Sequence, residues 1–401
     1  MYCTRQITED ITWIGGSDRR LARFENLFPL PHGVSYNAYV IMDEKTAILD
    51  TVDHAIAKQF MENVAHVLKG RALDYLIVNH MEPDHCASIG ELLFQYPDMK
   101  IVGNQKTIQF LGQFFDADMS DRTIVVTEKE RLALGKHTLQ FVMAPMVHWP
   151  ETMVTYELAT GTLFSADAFG TFGALDGTIF HDELEQDTDW IVEARRYYTN
   201  IVGKYGVQVQ TLLKKASSLE IKTICPLHGP IWREHLEEYM QLYDKWSRYE
   251  PEVQGVLIAY ASMYGNTENA ANVLAAGLAD AGITKIAVRD VSVTDISYLI
   301  GEAFKYSHIV LAAPTYNGNI YAMMEHFIQD MQALNLQHRT FTLIENGTWA
   351  PMAGKQMMSM LETIKNTTIL EHTISLKSTL KPSDEEGMEQ VMKDIVKTLT
   401  C

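Results

Sequence analysis

The sequence predicts an α/β and α+β chain of two domains, a mixed domain over residues 1–250 and a doubly wound parallel five-stranded sheet over 251–401. Three observations carry this. From about Gln254, five apolar runs (VLIAYA, KIAVRDV, HIVLAAPT, RTFTLIENG, TILEHTISLK) are each followed by a helical pattern, which is the rhythm of stacked βα units. Before that point, hairpin-like strand pairs mix with helices instead. Between the two, Tyr249–Pro251 places a proline among polar residues, as a linker would.

Each element follows from local pattern. Tyr36 to Ile41 and Thr46 to Val52 are apolar runs flanking the turn MDEK, a hairpin signal. Ile56, Phe60, Val64 and Leu68 recur every four residues, and Gly70 then stops a helix. Leu73 to Val78 is a short strand, and strands are expected again at Lys100–Val102, Thr138–Ala144 and Thr162–Ser165. In the second half, VLIAYA leads through SMYGNT into a helix from Glu268 to Ala281, ended by Gly282.

Composition narrows the function classes. The chain has 401 residues, 47% hydrophobic and 21% charged, enough for two sizeable cores. Its net charge of −18 argues against nonspecific binding to nucleic acid or anionic membrane. The four cysteines (Cys3, Cys86, Cys225, Cys401) never form CxxC, which argues for a reducing compartment and against a built-in rubredoxin-type or iron–sulfur centre. MYCTRQITED lacks an apolar leader, and no apolar run reaches membrane-spanning length. The expectation is a cytoplasmic enzyme.

Two constellations carry chemistry. The first is NHMEPDHCAS (79–88), at the end of a predicted strand, where His80, Glu82, Asp84 and His85 crowd four donors into six positions. Pro83 stiffens that loop. His148 in MAPMVHWPETM, Asp167 in LFSADAFG and His228 in TICPLHGP also fall in loops at or after apolar runs, where a scaffold holds ligands. A lone histidine is more often a surface or core residue. Seven such donors exceed the needs of one tetrahedral zinc and suit two metals, some members acting as supports for a histidine.

The second constellation is three loops after predicted strands of the C-terminal half. SMYGNT (Ser262, Met263, Tyr264, Gly265, Asn266, Thr267) offers backbone N–H groups and hydroxyls to an anion at a helix N-terminus. It is neither GxGxxG nor a Walker loop. PTYNGN supplies Pro314, Thr315, Tyr316, Asn317 and Gly318, and ENGTWA supplies Asn346, Gly347, Thr348 and Trp349. Both combine Gly and Asn with an aromatic able to cover a flat ring. Met263 and Tyr264 are equally well read as packing residues.

The series HxExDH, H, D, H resembles the metallo-β-lactamase fold as flavodiiron proteins use it, whose zinc relatives carry HxHxDH. SMYGNT resembles the FMN phosphate loop of flavodoxin. Together the resemblance covers essentially the whole chain. It implies an N-terminal metallo-β-lactamase-like αββα domain and a flavodoxin-like domain, with FMN and two irons as cofactors. One iron would take His80, Glu82 and His148, and the other Asp84 and His228, with Asp167 bridging. The histidine matching His85 ligates in some members and turns away in others. A carboxylate at Glu82 makes the site harder and more anionic, favouring iron over zinc.

The implied activity is reduction of dioxygen to water, or of nitric oxide to nitrous oxide, with electrons passed through FMN from an external rubredoxin or flavoprotein reductase. A head-to-tail homodimer or dimer of dimers would bring one chain's FMN to the other's irons. One departure stands out: ARFENLF places Glu25 where many members carry a histidine near the substrate. Tyr197 and Tyr198 resemble a position near the irons, or are helix-packing aromatics. Two rival classes are a zinc hydrolase with an attached flavodoxin-like domain and a nonenzymatic electron carrier.

Overall fold

A computed structural model describes residues 1–116, 119–184 and 190–400. Cys401 therefore lies outside the described residues. The chain divides into two compact units, Met1–Tyr198 with Val207–Asp244, and Thr199–Gly206 with the chain from Lys245 onward.

The first unit is built on two sheets. One runs in the order Arg5–Gln6, Ile11–Trp13, Tyr39–Met42, Thr46–Leu49, Tyr75–Ile77, Lys100–Gly103, Thr123–Val125. The other runs Arg131–Ala133, Thr138–Met143, Met153–Glu157, Thr162–Phe164, Thr223–Cys225. Ile41, Leu49, Ile77 and Val102 of the first sheet form one buried cluster with Phe141, Met153, Phe164 and Cys225 of the second, so the two sheets share a core as sandwiched sheets do. The helix Ala57–Leu68 buries Phe60, Val64 and Leu68, and ends where Lys69 and Gly70 both adopt positive φ.

Several strand expectations need correction. Tyr36 belongs to a separate strand, Val34–Tyr36, paired with Gly16–Asp18, and the hairpin begins at Tyr39. The Asp74 carboxylate accepts from Lys45 Nζ and the Thr46 N–H at 2.9 Å each, fixing that turn. The strand expected over Thr162–Ser165 stops at Phe164, so Asp167 sits three residues beyond it, in a turn where Ala166 and Phe169 have positive φ. His148 lies in a loop from Ala144 to Thr152 that follows the strand ending at Met143.

The second unit is a doubly wound sheet. Its parallel strands stand in the order Ile286–Asp290, Val253–Tyr260, Tyr306–Tyr316, Thr340–Asn346, then Thr368–Ile369 with Ile374–Leu376, which is 2-1-3-4-5 in chain order. Helices Asn266–Asp280 and Glu385–Thr400 cover one face through Leu274, Leu278, Met388, Val391 and Ile395. Helices Ile296–Lys305, Ala322–Ala333 and Ala353–Leu361 cover the other through Leu299, Phe304, Phe327, Met331 and Met357. The fifth strand is a correction: TILEHTISLK breaks into two short pieces around 370–373. Glu371 and His372, exposed in that interruption, have no place in a strand buried on both faces.

Candidate metal centre and cofactor cavity

The loop after Tyr75–Ile77 is held from below. Asp50 accepts from Asn79 N–H at 2.7 Å, Asn79 Nδ2 at 2.8 Å and His80 N–H at 3.2 Å. A short helix, Pro83–Cys86, then starts with proline at a position that needs no N–H. Its result is that His80, Glu82, Asp84 and His85 converge with His148, Asp167 and His228, all seven nearly or fully buried.

The donors fall into two groups, His80, Glu82, His148 and Asp167, and Asp84, His85 and His228. Asp167 is shared. Its Oδ2 lies 3.1 Å from His80 Nε2 and 3.3 Å from His148 Nε2, while its Oδ1 lies 3.3 Å from His85 Nε2 and 3.5 Å from His228 Nε2. Glu82 Oε2 closes the first group at 3.2 Å from His80 and 2.9 Å from His148. Asp84 Oδ2 closes the second at 3.4 Å from His85 and 3.3 Å from His228.

Tautomers follow from the partners behind the rings. His80 Nδ1–H donates to Glu151 Oε1 at 2.7 Å, and His228 Nδ1–H donates to the Ser35 carbonyl at 2.8 Å. Each ring therefore presents the Nε2 lone pair to the centre. His85 and His228 bring their Nε2 atoms within 3.0 Å, the spacing of two nitrogens on one ion at about 2.1 Å each. His85 is turned into the second group.

Burial disfavours charge throughout this cluster, yet the groups stabilise one another's ionised forms. Burial opposes protonation of His80, but Asp167, Glu151 and Glu82 outweigh it and hold the imidazole well above its ordinary value. His148 is likewise raised, to about 9, against burial by its contacts to Asp167 and Glu82. Burial also opposes ionisation of Asp167, but the facing histidines hold its carboxyl well below the usual range. Both carboxylate oxygens of Asp84 and of Asp167 lack a hydrogen-bond partner among the described residues. Four imidazoles and three carboxylates with such oxygens fit two divalent ions, with displacement of the protons.

Glu25 sits at φ +48 in the turn joining Arg23–Phe24 to Phe28–Pro29. Its carboxyl lies against Glu82 and is pushed up to about 8 by lost solvation and then by the Glu82 charge. Phe24 from the same hairpin packs edge-on to His228, ring centroids 5.2 Å apart. Tyr197 packs on His228 at 5.4 Å, and its buried hydroxyl has no hydrogen-bond partner among the described residues. Burial, and then the charges of Asp167, Asp84 and Glu82, keep that phenol protonated. Tyr198 packs instead on Tyr243, at 5.0 Å.

In the second unit a cavity of about 450 Å³ opens at the carboxyl ends of the strands. It is lined by Ser262, Met263, Tyr264, Asn266 and Thr267 from the first loop, 314–318 from the second, and 346–350 from the third. Gly265 does not itself line it. Gly265 takes φ +86 at the N-terminus of Asn266–Asp280, an end with no side-chain cap, and donates its N–H to Ser262 Oγ at 3.0 Å. That end is left to an anion. Tyr264 and Trp349 stand about nine-tenths exposed at the rim. The residues fit a flat, anionic cofactor.

Sequence reasoning missed the supports. Glu151, three residues after His148, also accepts from the Met81 N–H at 2.8 Å, and a carboxylate so close to a ligand was a usable signal. Ser378 and Met352 also line the cavity. Asn346 ties the loops by donating to the Ser378 carbonyl at 2.8 Å and accepting from its N–H at 3.0 Å.

Comparison with known proteins agrees with this division. Residues 34–229 match the ODP family beta lactamase model, and 258–387 match flavodoxin. The chain is similar to rubredoxin oxygen:oxidoreductase from Desulfovibrio gigas, with TM-score 0.92, 26% identity, and coverage of 99% of this chain and 98% of that one. It is similar to the flavodiiron protein from Giardia intestinalis, with TM-score 0.90, 25% identity and coverage of 99% and 96%. The anaerobic nitric oxide reductase flavorubredoxin of Escherichia coli is 27% identical over 389 residues, which are 96% of this chain and 79% of that protein. With a β-lactamase-type domain carrying a two-part donor cluster, followed by a flavodoxin domain, the chain belongs to the flavodiiron proteins.

Proposed function

We propose that this chain reduces dioxygen to water, nitric oxide to nitrous oxide, or both, taking electrons through FMN from an external donor such as a rubredoxin. The observation that carries the reading is Asp167, whose two oxygens are divided between two histidine groups. That is the arrangement of a carboxylate bridging two ions. Glu82 in the first group supports redox iron over hydrolytic zinc. Two iron ions held by His80, Glu82, His148, Asp84, His85 and His228 with Asp167, and FMN held by the three loops, supply one-electron steps when bound.

The chain's own residues then have definable tasks. His80 and His228 are locked in one tautomer by Glu151 and Ser35. Lost solvation and then the charge of Glu82 push the Glu25 carboxyl up toward its protonated form, and Tyr197 offers a buried hydroxyl next to His228. Both suit a reaction that consumes protons at a water-poor centre. The 262–267, 314–318 and 346–349 loops seat the phosphate and ring of the flavin. The metal domain is the unit of 1–198 with 207–244, and the flavin domain is the unit of 199–206 with the chain from 245. That moves the boundary expected at 250/251 to the N-terminal side of Tyr249. A head-to-tail dimer couples the flavin of one copy to the metals of another.

The test is anaerobic reduction of the FMN- and metal-loaded protein, followed by rapid mixing with each gas. Rapid reoxidation of the flavin by dioxygen or nitric oxide is expected. A loaded protein that neither gas reoxidises refutes the reading. Two zinc ions per chain with ester hydrolysis would replace it by the hydrolase alternative. Sedimentation tests the dimer, and a fully active monomer overturns that part.

A further inference from the structure

Behind the metal centre, on the side of Tyr197, the first unit carries a run of oxidisable rings that nothing above uses. Tyr243 accepts the Phe169 N–H on its hydroxyl at 2.6 Å, and Tyr239 donates its hydroxyl to the Phe169 carbonyl at 3.0 Å. Phe169 is two residues beyond the shared ligand Asp167, so both phenols are bonded to the backbone of the ligand turn. From there the rings lead outward. Tyr243 and Tyr239 have centroids 5.5 Å apart, Tyr239 and Trp232 stack at 3.9 Å, and Trp232 stacks on His181 at 3.7 Å. Trp232, Tyr239 and Tyr243 are at most 1% exposed, whereas His181 is partly exposed. One ring therefore separates the indole from solvent.

We propose that Tyr243, Tyr239 and Trp232 form an escape route for oxidising equivalents, protecting the centre when an oxidant arrives and no donor electron is at hand. The proposal rests on the redox reading given above. Tyr and Trp yield an electron only to strong oxidants, so the route cannot carry the low-potential electrons of a reduced flavin. Phenylalanine would fill the same space without needing buried hydrogen bonds for its hydroxyl. In one event the centre gains one electron and one proton. The proton comes from solvent. Trp232 loses one electron, relayed inward through Tyr239 and Tyr243, and stays as the indole radical cation, because its buried N–H has no acceptor among the described residues. A thiol in solution then returns one electron and releases its proton to solvent, and two such thiols close to a disulfide.

The test loads the full protein with iron and FMN, withholds any donor, and adds hydrogen peroxide anaerobically with a nitroso spin trap. Adducts are mapped by peptide mass spectrometry. Wild type is expected to trap radicals at Trp232 and Tyr239. Tyr239→Phe should lose the Trp232 adduct and gain adducts at Tyr243 or Tyr197, and Trp232→Phe should stop the label at Tyr239. Iron content and circular dichroism identify any variant that fails to load or fold, and the remaining variant, with the wild-type map, still decides the matter. A Trp232 adduct that persists in Tyr239→Phe, or wild-type adducts confined to residues touching the ligands, overturns the route and leaves the rings as packing. Gas consumption with a supplied donor is measured separately. Its absence beside an intact adduct pattern sinks the gas-reductase reading and not the relay.

Discussion

Glu82 and Glu151 decide the character of the centre from opposite sides of His80. Glu82 meets His80 Nε2 at 3.2 Å, and Glu151 meets Nδ1 at 2.7 Å. Replacing Glu82 by histidine removes the anionic oxygen donor and restores a set preferred by zinc. Glu82→His, expressed with both metals supplied, is expected to shift the purified protein from iron toward zinc by elemental analysis, and an unchanged iron content counts against that role. Glu151→Gln keeps an acceptor for the Met81 N–H but loses the charge that raises the basicity of the imidazole. A supporting partner of this kind is worth about 10–100-fold in metal affinity. Chelator competition should show a loss of that order, and an unchanged affinity would mean that Glu151 only packs.

At the level of single elements, the Tyr306–Tyr316 strand carries a measurable pH liability. His308 is fully buried between Thr398 Oγ1 at 3.0 Å and Thr342 Oγ1 at 2.8 Å, and burial presses its value down to about 3. The unfolded chain binds a proton near pH 6.5 and the folded chain does not, so stability is present above that value and drains as pH falls toward 3. Between pH 7 and pH 5 the loss from this group is about 2 kcal/mol. Urea unfolding followed by probes in the second unit should show that slope, and His308→Gln should flatten it. Arg339 pins neighbouring elements through the carbonyls of Ala303 at 2.9 Å, Phe304 at 2.5 Å and Tyr249 at 2.7 Å. Arg339→Met strands those buried acceptors at about 1–3 kcal/mol apiece, a loss readable in the same titration.

These same elements show where pattern reading succeeds and where it stops. VLIAYA and HIVLAAPT are legible because strands covered on both faces must be continuous apolar runs. Met153–Glu157 escapes notice because all five residues, Thr155 and Glu157 included, are buried, so neither alternation nor apolarity marks it. The ligand residues were legible because each follows an apolar run and few other tasks suit HxExDH. Asp50, Ser35 and Ser378 were not, since their roles depend on partners distant in sequence, such as Asn79, His228 and Asn346.

Across the whole molecule, each unit has a core of its own among the described residues. One cluster joins the sandwiched sheets of the first unit, and two others lie on opposite faces of the second unit's sheet. Among the described residues, the clustered donors that could hold metal lie in the first unit and the cofactor-sized cavity lies in the second. Ligand binding stabilises the unit that holds the ligand, by about 4 kcal/mol at a thousandfold excess over Kd. For a unit of this size that amounts to a shift of ~10 °C in its midpoint. Calorimetry of the loaded protein should therefore show that chelation lowers one transition by about that amount. Flavin removal should lower the other. A single transition that moves equally under both treatments would mean that the two cores unfold as one, and it would remove the basis for treating the domains as separate stability units.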